Sequence, residues 1–128
     1  EITKGKINGA LRFVKFIGDF VMELITIDAL PSQLFTVTLG GNNYEIKIYS
    51  IDGHMSYDLS INSVQIISGF KMVNDVPLLV YVHQEVSGNL LLQIAEDEIP
   101  NYKKFGLSQF LYYLTEAETT DYRLAAGL

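Results

Sequence analysis

The chain contains no cysteine and no tryptophan, and only 19% of its 128 residues are charged. Without cysteine there is neither a disulfide framework nor a thiolate metal site. That absence fits a cytosolic protein and a secreted one equally. Nowhere do about 18 apolar residues run together, so no membrane-spanning helix is expected. Basic residues are scarce as well: nine against fifteen acidic ones give a formal charge of −6. A nucleic-acid-binding domain needs the opposite, a basic patch that neutralises phosphate. What is plentiful is apolar material, 48% of the chain. That is more than a monomer of this size comfortably hides, and enough for one domain with a real core.

The clearest pattern lies between Gln33 and Tyr49. Phe35, Val37 and Leu39 alternate with Thr36 and Thr38, and Tyr44, Ile46 and Ile48 alternate with Glu45 and Lys47. Gly40-Gly41-Asn42-Asn43 separates the two runs. Alternation at period two on both sides of a Gly/Asn turn predicts a β-hairpin, because glycine and asparagine tolerate the positive φ of a tight turn.

Residues 1–21 have a different character. On a helical wheel Lys4, Asn8, Arg12, Lys15 and Asp19 fall on one narrow face, while Ala10, Leu11, Phe13, Val14, Ile17, Phe20 and Val21 fill most of the rest. This predicts an N-terminal amphipathic helix starting after Gly9, although the β-branched and aromatic content leaves a strand open. Such a segment covers its own core, contacts another subunit, or is a non-native leader. As a subunit contact its candidate residues are Phe13, Phe16, Ile17 and Phe20. Lys4 and Lys6 before an apolar stretch resemble a signal peptide, but Arg12, Lys15 and Asp19 interrupt the stretch and exclude it. A first residue of Glu1 instead of Met suggests a fragment or a processed product.

Residues 22–128 read as a single β domain. Glu23–Ile27 is a short strand, and Pro31 sets the turn before the hairpin. Asp52-Gly53 is a second turn, leading to an alternating run at Tyr57, Leu59 and Ile61. Asn62-Ser63 leads to a strand over Val64–Val73 that bulges at Gly69. Leu78–Val82 is either a buried strand or one helical turn capped by Asp75. Ser87-Gly88-Asn89 turns into a strand over Leu90–Ala95, Glu96–Lys104 is an exposed loop, and Phe110–Leu114 is the last strand. Thr115–Leu128 reads as a polar, weakly structured tail. About seven strands on short turns predict a mainly β fold, an antiparallel meander closing into a small barrel-like sheet.

No chemistry-bearing constellation emerges. His54 and His83 lack the spacing of a zinc site, and no serine sits in a nucleophile elbow. Glu96, Asp97 and Glu98 form the one carboxylate cluster, but adjacent residues of a loop do not converge as two catalytic carboxylates must, and a calcium-loop pattern is missing. The eight tyrosines either pack in the sheet with their hydroxyls at its edge, or form a surface on which a carbohydrate stacks. No enzyme activity, cofactor or metal is expected.

The order of the strands carries a resemblance. Gln33-x-Phe35-x-Val37-x-Leu39-x-Gly41-x-x-Tyr44-x-Ile46-x-Ile48 resembles the opening motif of the phage baseplate plug family, small tail-tip proteins of contractile-tailed phages. Tyr57-x-Leu59-x-Ile61 is similar to the family's W-x-L-x-I strand, with tyrosine in place of tryptophan. Gly69–Val73, Leu78-Leu79-Val80-Tyr81, Gly88-x-Leu90-x-Leu92, Pro100, Phe105-Gly106-Leu107 and Phe110–Tyr113 follow in the family's order. The resemblance covers residues 33–114. Residues 1–21 lie outside it, and a start at Met22 gives a chain of the family's usual length.

The resemblance implies a structural virion component, made in the bacterial host cytoplasm, that lines or closes the distal end of the tail tube. It implies a homo-oligomeric ring beside hub, tail-tube and spike proteins, and it transfers no catalytic residue. Ring closure requires two different faces of one subunit to meet, and a negative lumen would discourage DNA from adhering. The alternative is a stand-alone β-barrel module that binds a carbohydrate or small ligand through its tyrosines.

Overall fold

The computed structural model describes residues 22–128 in full; of residues 1–21 it describes only the backbone of the strands, at 2–7, 10–17 and 20–21. Nine strands are present among these residues: β1 (Ile2–Ile7), β2 (Ala10–Ile17), β3 (Phe20–Ile25), β4 (Ser32–Leu39), β5 (Asn42–Ile51), β6 (His54–Ile61), β7 (Val64–Lys71), β8 (Asn89–Ile94) and β9 (Gln109–Leu114). One helix, α1 (Glu116–Ala126), follows.

The strands form two antiparallel sheets, ordered β4-β5-β6-β7 and β1-β2-β3-β9-β8. The four-stranded sheet is a plain meander, and its three turns explain why. Gly40-Gly41, Asp52-Gly53 and Asn62-Ser63 each place two successive residues at positive φ. That is the two-residue turn whose twist matches the flanking strands. The expected alternation then fixes which face is inside: Val37, Leu39, Tyr44, Ile46, Ile48, Tyr57, Leu59 and Ile61 are all buried, while Thr36, Glu45 and Lys47 face outward. Between β6 and β7 the register shifts on either side of Leu59. Asp58 Oδ1 accepts from Gly69 N at 2.7 Å and from the Tyr49 hydroxyl at 3.0 Å, so one carboxylate holds the bulge.

The second sheet supplies the other half of the core. Ile25, Leu90, Leu92, Ile94, Leu111 and Tyr113 join the inner face of the meander in one apolar cluster. The opposite face of the second sheet, carrying Met22, Leu91, Tyr112 and Leu114, packs under Tyr122 of α1. The molecule is thus three layers, sheet on sheet with a helix outside. The chain crosses between sheets at Ile27–Ser32, where Gln33 exchanges two hydrogen bonds with the backbone of Asp28, at 2.7 and 3.0 Å.

Three expectations change. The strands do not close into a barrel: among the described residues no strand of one sheet pairs with a strand of the other. Closure fails at β8, whose outer edge is taken by residues 75–78 through Asp75 N to Leu92 O and Leu78 N to Leu90 O. The expected N-terminal amphipathic helix is a pair of strands, because β2 finds in β3 a partner along Arg12–Ile17, and β-branched and aromatic residues favour that pairing. The polar tail is helix α1, begun by a capping box between Thr115 and Glu118 and ended by Gly127 in the left-handed region.

Gly88 shows how tightly the β8–β9 end is built. Its φ is +107°, and a Cβ there would lie 2.1 Å from Leu114 O. Gly41, at φ +81°, has open space instead. In urea denaturation Gly88→Ala is expected to lose more than about 3 kcal/mol, whereas Gly41→Ala loses about 1 kcal/mol from backbone strain alone. Equal losses would contradict the packing described.

Candidate functional site

The buried polar groups, among them Asn89, Arg123 and Gln109, are bonded to neighbouring loops, and half-buried Ser87 adds a further tie. At the Gly40 end of the sandwich Ser87 ties the sheets together. Its hydroxyl donates to Leu39 O at 3.1 Å and lies 2.9 Å from the Tyr44 hydroxyl, while its carbonyl accepts from the Tyr113 hydroxyl. A Cβ on Gly40 would meet Ser87 Cβ at 2.8 Å, so this pin requires glycine.

Beneath α1 lies a denser knot. Asn89 Oδ1 accepts from Leu79 N at 2.9 Å and from Leu90 N at 2.8 Å. Its Nδ2 donates to Leu79 O at 2.8 Å and Glu85 Oε2 at 2.6 Å. Arg123 Nη2 donates to Leu79 O at 2.9 Å and Val80 O at 3.2 Å, and Arg123 Nε to Glu85 Oε2 at 3.0 Å. The loop of residues 79–88, with one 3-10 turn at Val82–Gln84, is therefore held from beneath by β8 and from above by α1. Neither Asn89 nor Arg123 emerges from sequence reasoning, since nothing local marks a partner ten or more residues away.

The chemical candidates do not converge. Glu98 accepts from the Ser108 hydroxyl at 2.8 Å and from Gln109 Nε2 at 3.2 Å. Those bonds, helped by Lys104, hold its carboxyl below the ordinary glutamate value. Glu96 and Asp97 are simply exposed. His83 stacks on Tyr81 with ring centroids 5.7 Å apart, and His54 stands on the rim of a groove. No group of three potential metal ligands occurs among the described residues.

The tyrosines do not form a stacking platform. Tyr44 and Tyr57 are buried, the latter donating to Leu78 O at 2.6 Å; burial raises the Tyr44 hydroxyl above the usual tyrosine range and the Tyr57 hydroxyl well above it. Tyr49 is committed to Asp58. A groove of about 460 Å³ opens at the Gly53 end between Met55, Met72, Val73, Ile94, Ile99 and Pro100, and no tyrosine lines it.

Of the expected interface residues, the side chains of Phe13, Phe16, Ile17 and Phe20 lie outside the described residues. Their backbone register is clear: Phe13 stands across from Leu24, Phe16 from Val21, and Ile17 from Phe20.

The described residues thus form a three-layered, mainly β sandwich whose polar side chains hold loops in place. Residues 22–116 match the family model described as the cyanophage baseplate Pam3 plug gp18. The chain belongs to this baseplate plug family, and the family is one of phage baseplate structural components. The match begins at Met22, in β3, and ends at Glu116, so β1, β2 and nearly all of α1 lie outside it. A search of curated proteins finds no match to the chain.

Arg123 and Glu85 have side chains only 11% and 16% exposed, so removing one partner strands the other. Arg123→Met is expected to cost about 3 kcal/mol or more in equilibrium unfolding. The double variant with Glu85→Gln should lose less than the two single losses combined, by about 1 kcal/mol. Strict additivity would mean that the pair is not coupled. The acid limb of stability has its own signature at Glu98. A carboxyl depressed in the folded state contributes stability that is complete above the ordinary glutamate pKa and is lost as pH falls through the folded value. Glu98→Gln should therefore flatten the melting temperature against pH below the ordinary value and leave its slope near neutrality unchanged.

Proposed function

We propose that this protein is a tail-tip plug that oligomerises as a ring and lines or closes the distal end of a phage tail tube, beside hub and spike proteins. The observation that carries this reading is the family match across residues 22–116. The architecture supports it. Exposed apolar residues are numerous for one small domain, with Leu34, Val64, Val82, Ile99, Leu107 and Leu124 each at least 60% exposed.

The sheet edges differ in a way that suits a ring. The bulge in β7 interrupts its edge for pairing, whereas β4 offers eight regular residues. In a two-residue hairpin the outward backbone groups of β4 are those of Ser32, Leu34, Thr36 and Thr38. β1 is the outermost strand of the other sheet, whose strand β2 comes close to β4. Two unlike edges on one body are what a heterologous, ring-closing contact needs. The N-terminal strands, with Phe13, Phe16, Ile17 and Phe20, are the part of this interface that stands outside the family match. The net charge of −6 suits a conduit to which DNA does not adhere. The virion tail tip is the corresponding location.

Light scattering on the full chain is expected to give a mass several times 14.4 kDa. Phe13→Ser with Phe16→Ser should lower that mass while shifting the melting temperature of the monomer by less than about 3 °C. A loss of monomer stability matching the loss of assembly would place these residues in the fold instead of the interface.

A further inference from the structure

Two surfaces of this chain, formed by different residues, are complementary to one another. The first is the groove at the Gly53 end. Its walls are Met55, Met72, Val73, Ile94, Ile99 and Pro100, with Lys71 and His54 at the rim. A second cleft shares Gly53, Met55, Ile99 and Pro100 with it and adds Lys103. The result is a furrow between two exposed lysines, apolar toward Lys71 and mixed toward Lys103, where Ser50, Asn101 and Tyr102 line it, on a chain whose net charge is −6. Glu98, the carboxylate among the groove residues, is turned to Ser108 and Gln109. Ile99 is left 69% exposed on the furrow's lip. At about 460 Å³ the larger part is of the size that encloses several side chains.

The second surface is the outer face of α1. Thr119 and Arg123 are buried, and Tyr122 reaches Asp75 O at 2.8 Å, so this side of the helix is consumed by its own domain. Glu118 is committed to the capping box. The opposite side presents Thr120, Asp121 and Leu124, and Glu116 stands exposed in the first turn at its margin, four residues before Thr120. Leu124 is 77% exposed, the highest value among the large apolar residues of the described chain. The helix thus shows a stripe that is acidic toward its start and apolar toward its end. It is the counterpart of a partly apolar furrow rimmed by lysine.

We propose that α1 of one copy docks in the Gly53-end furrow of the next copy, with Leu124 in the apolar part and Asp121 and Glu116 toward Lys71 and Lys103. This rests on the ring reading above and names one of its contacts. Groove and helix face are different patches, so the contact is heterologous and propagates around a ring if its rotation closes. The outer face of the β4–β7 sheet mixes Glu45, Lys47 and Asp58 and offers no field of one sign. Opposite charges at an exposed rim steer association and are screened by salt, so assembly should weaken as ionic strength rises.

A charge exchange tests this on the full chain, read by sedimentation or light scattering with circular dichroism and melting as controls. Lys71→Glu with Lys103→Glu should raise the dissociation constant about tenfold or more, and so should Glu116→Lys with Asp121→Lys. An equimolar mixture of the two variants should restore mixed association, because each supplies one matched surface to the other. Leu124→Asp, at a position open to solvent, should abolish assembly with an unchanged melting temperature. Wild-type masses in all variants would overturn the contact and leave the ring to other faces. Loss in each variant without recovery in the mixture would also overturn it. A wild-type chain that stays monomeric at about 1 mM would overturn the ring reading itself.

Discussion

Between β7 and β8 the chain must cross from one sheet to the other along an apolar interior without forming a strand of its own. Every backbone N–H and C=O it buries on the way needs a partner. Residues 75–78 borrow theirs from the edge of β8. Beyond them no strand is in reach, and two side chains take over. Asn89 presents its amide to Leu79 as a neighbouring strand would present a peptide, one acceptor and one donor. Arg123 covers the carbonyls of Leu79 and Val80 from the helix side. The layering of the molecule depends on this substitution of side chain for backbone, because without it the loop would open and α1 would lose its anchor.

The same accounting explains why the core is a sandwich. A barrel would satisfy edge groups by strand pairing all the way round. Here the edge of β8 is satisfied by an irregular segment containing Pro77, and the edge of β7 is bent by a bulge that Asp58 and Gly69 hold. With those edges unavailable for closure, the two sheets meet through faces instead, and the alternating apolar residues of seven strands form a common interior. Ser87 then fixes the relative position of the sheets at one end, bonded to Leu39, Tyr44 and Tyr113.

What could be read from the chain in advance was local. Gly40-Gly41, Asp52-Gly53 and Asn62-Ser63 announce their turns, and alternation between them marks the buried face, so the meander was legible almost residue by residue. The bulge at Gly69 was visible for the same reason. The misreadings share a different cause. Whether residues 10–17 form helix or strand is decided by β3, a partner that no local pattern reveals, and the wheel of polar residues suggested the wrong period. Helix α1 carried legible stop and start signals, Thr115-x-x-Glu118 and Gly127. Its docking face, however, is Thr119, Tyr122 and Arg123, too polar to show as an apolar stripe. Sandwich against barrel was undetermined for the same reason as the Asn89–Arg123 knot, since both depend on contacts between distant segments. The family match, by contrast, follows from strand order, which is written along the chain.

The pairing of β3 with β9 joins the two ends of the domain through Glu23–Tyr113, Leu24–Tyr112 and Ile25–Leu111. The strands are antiparallel, so the entry of β3 and the exit of β9 lie at the same end of the ladder. Tension applied between the two ends of the domain would part this ladder one rung at a time, like a zipper, instead of shearing all its bonds together. A body wired in this way is mechanically weak along its own chain and firm under compression across its two packed layers.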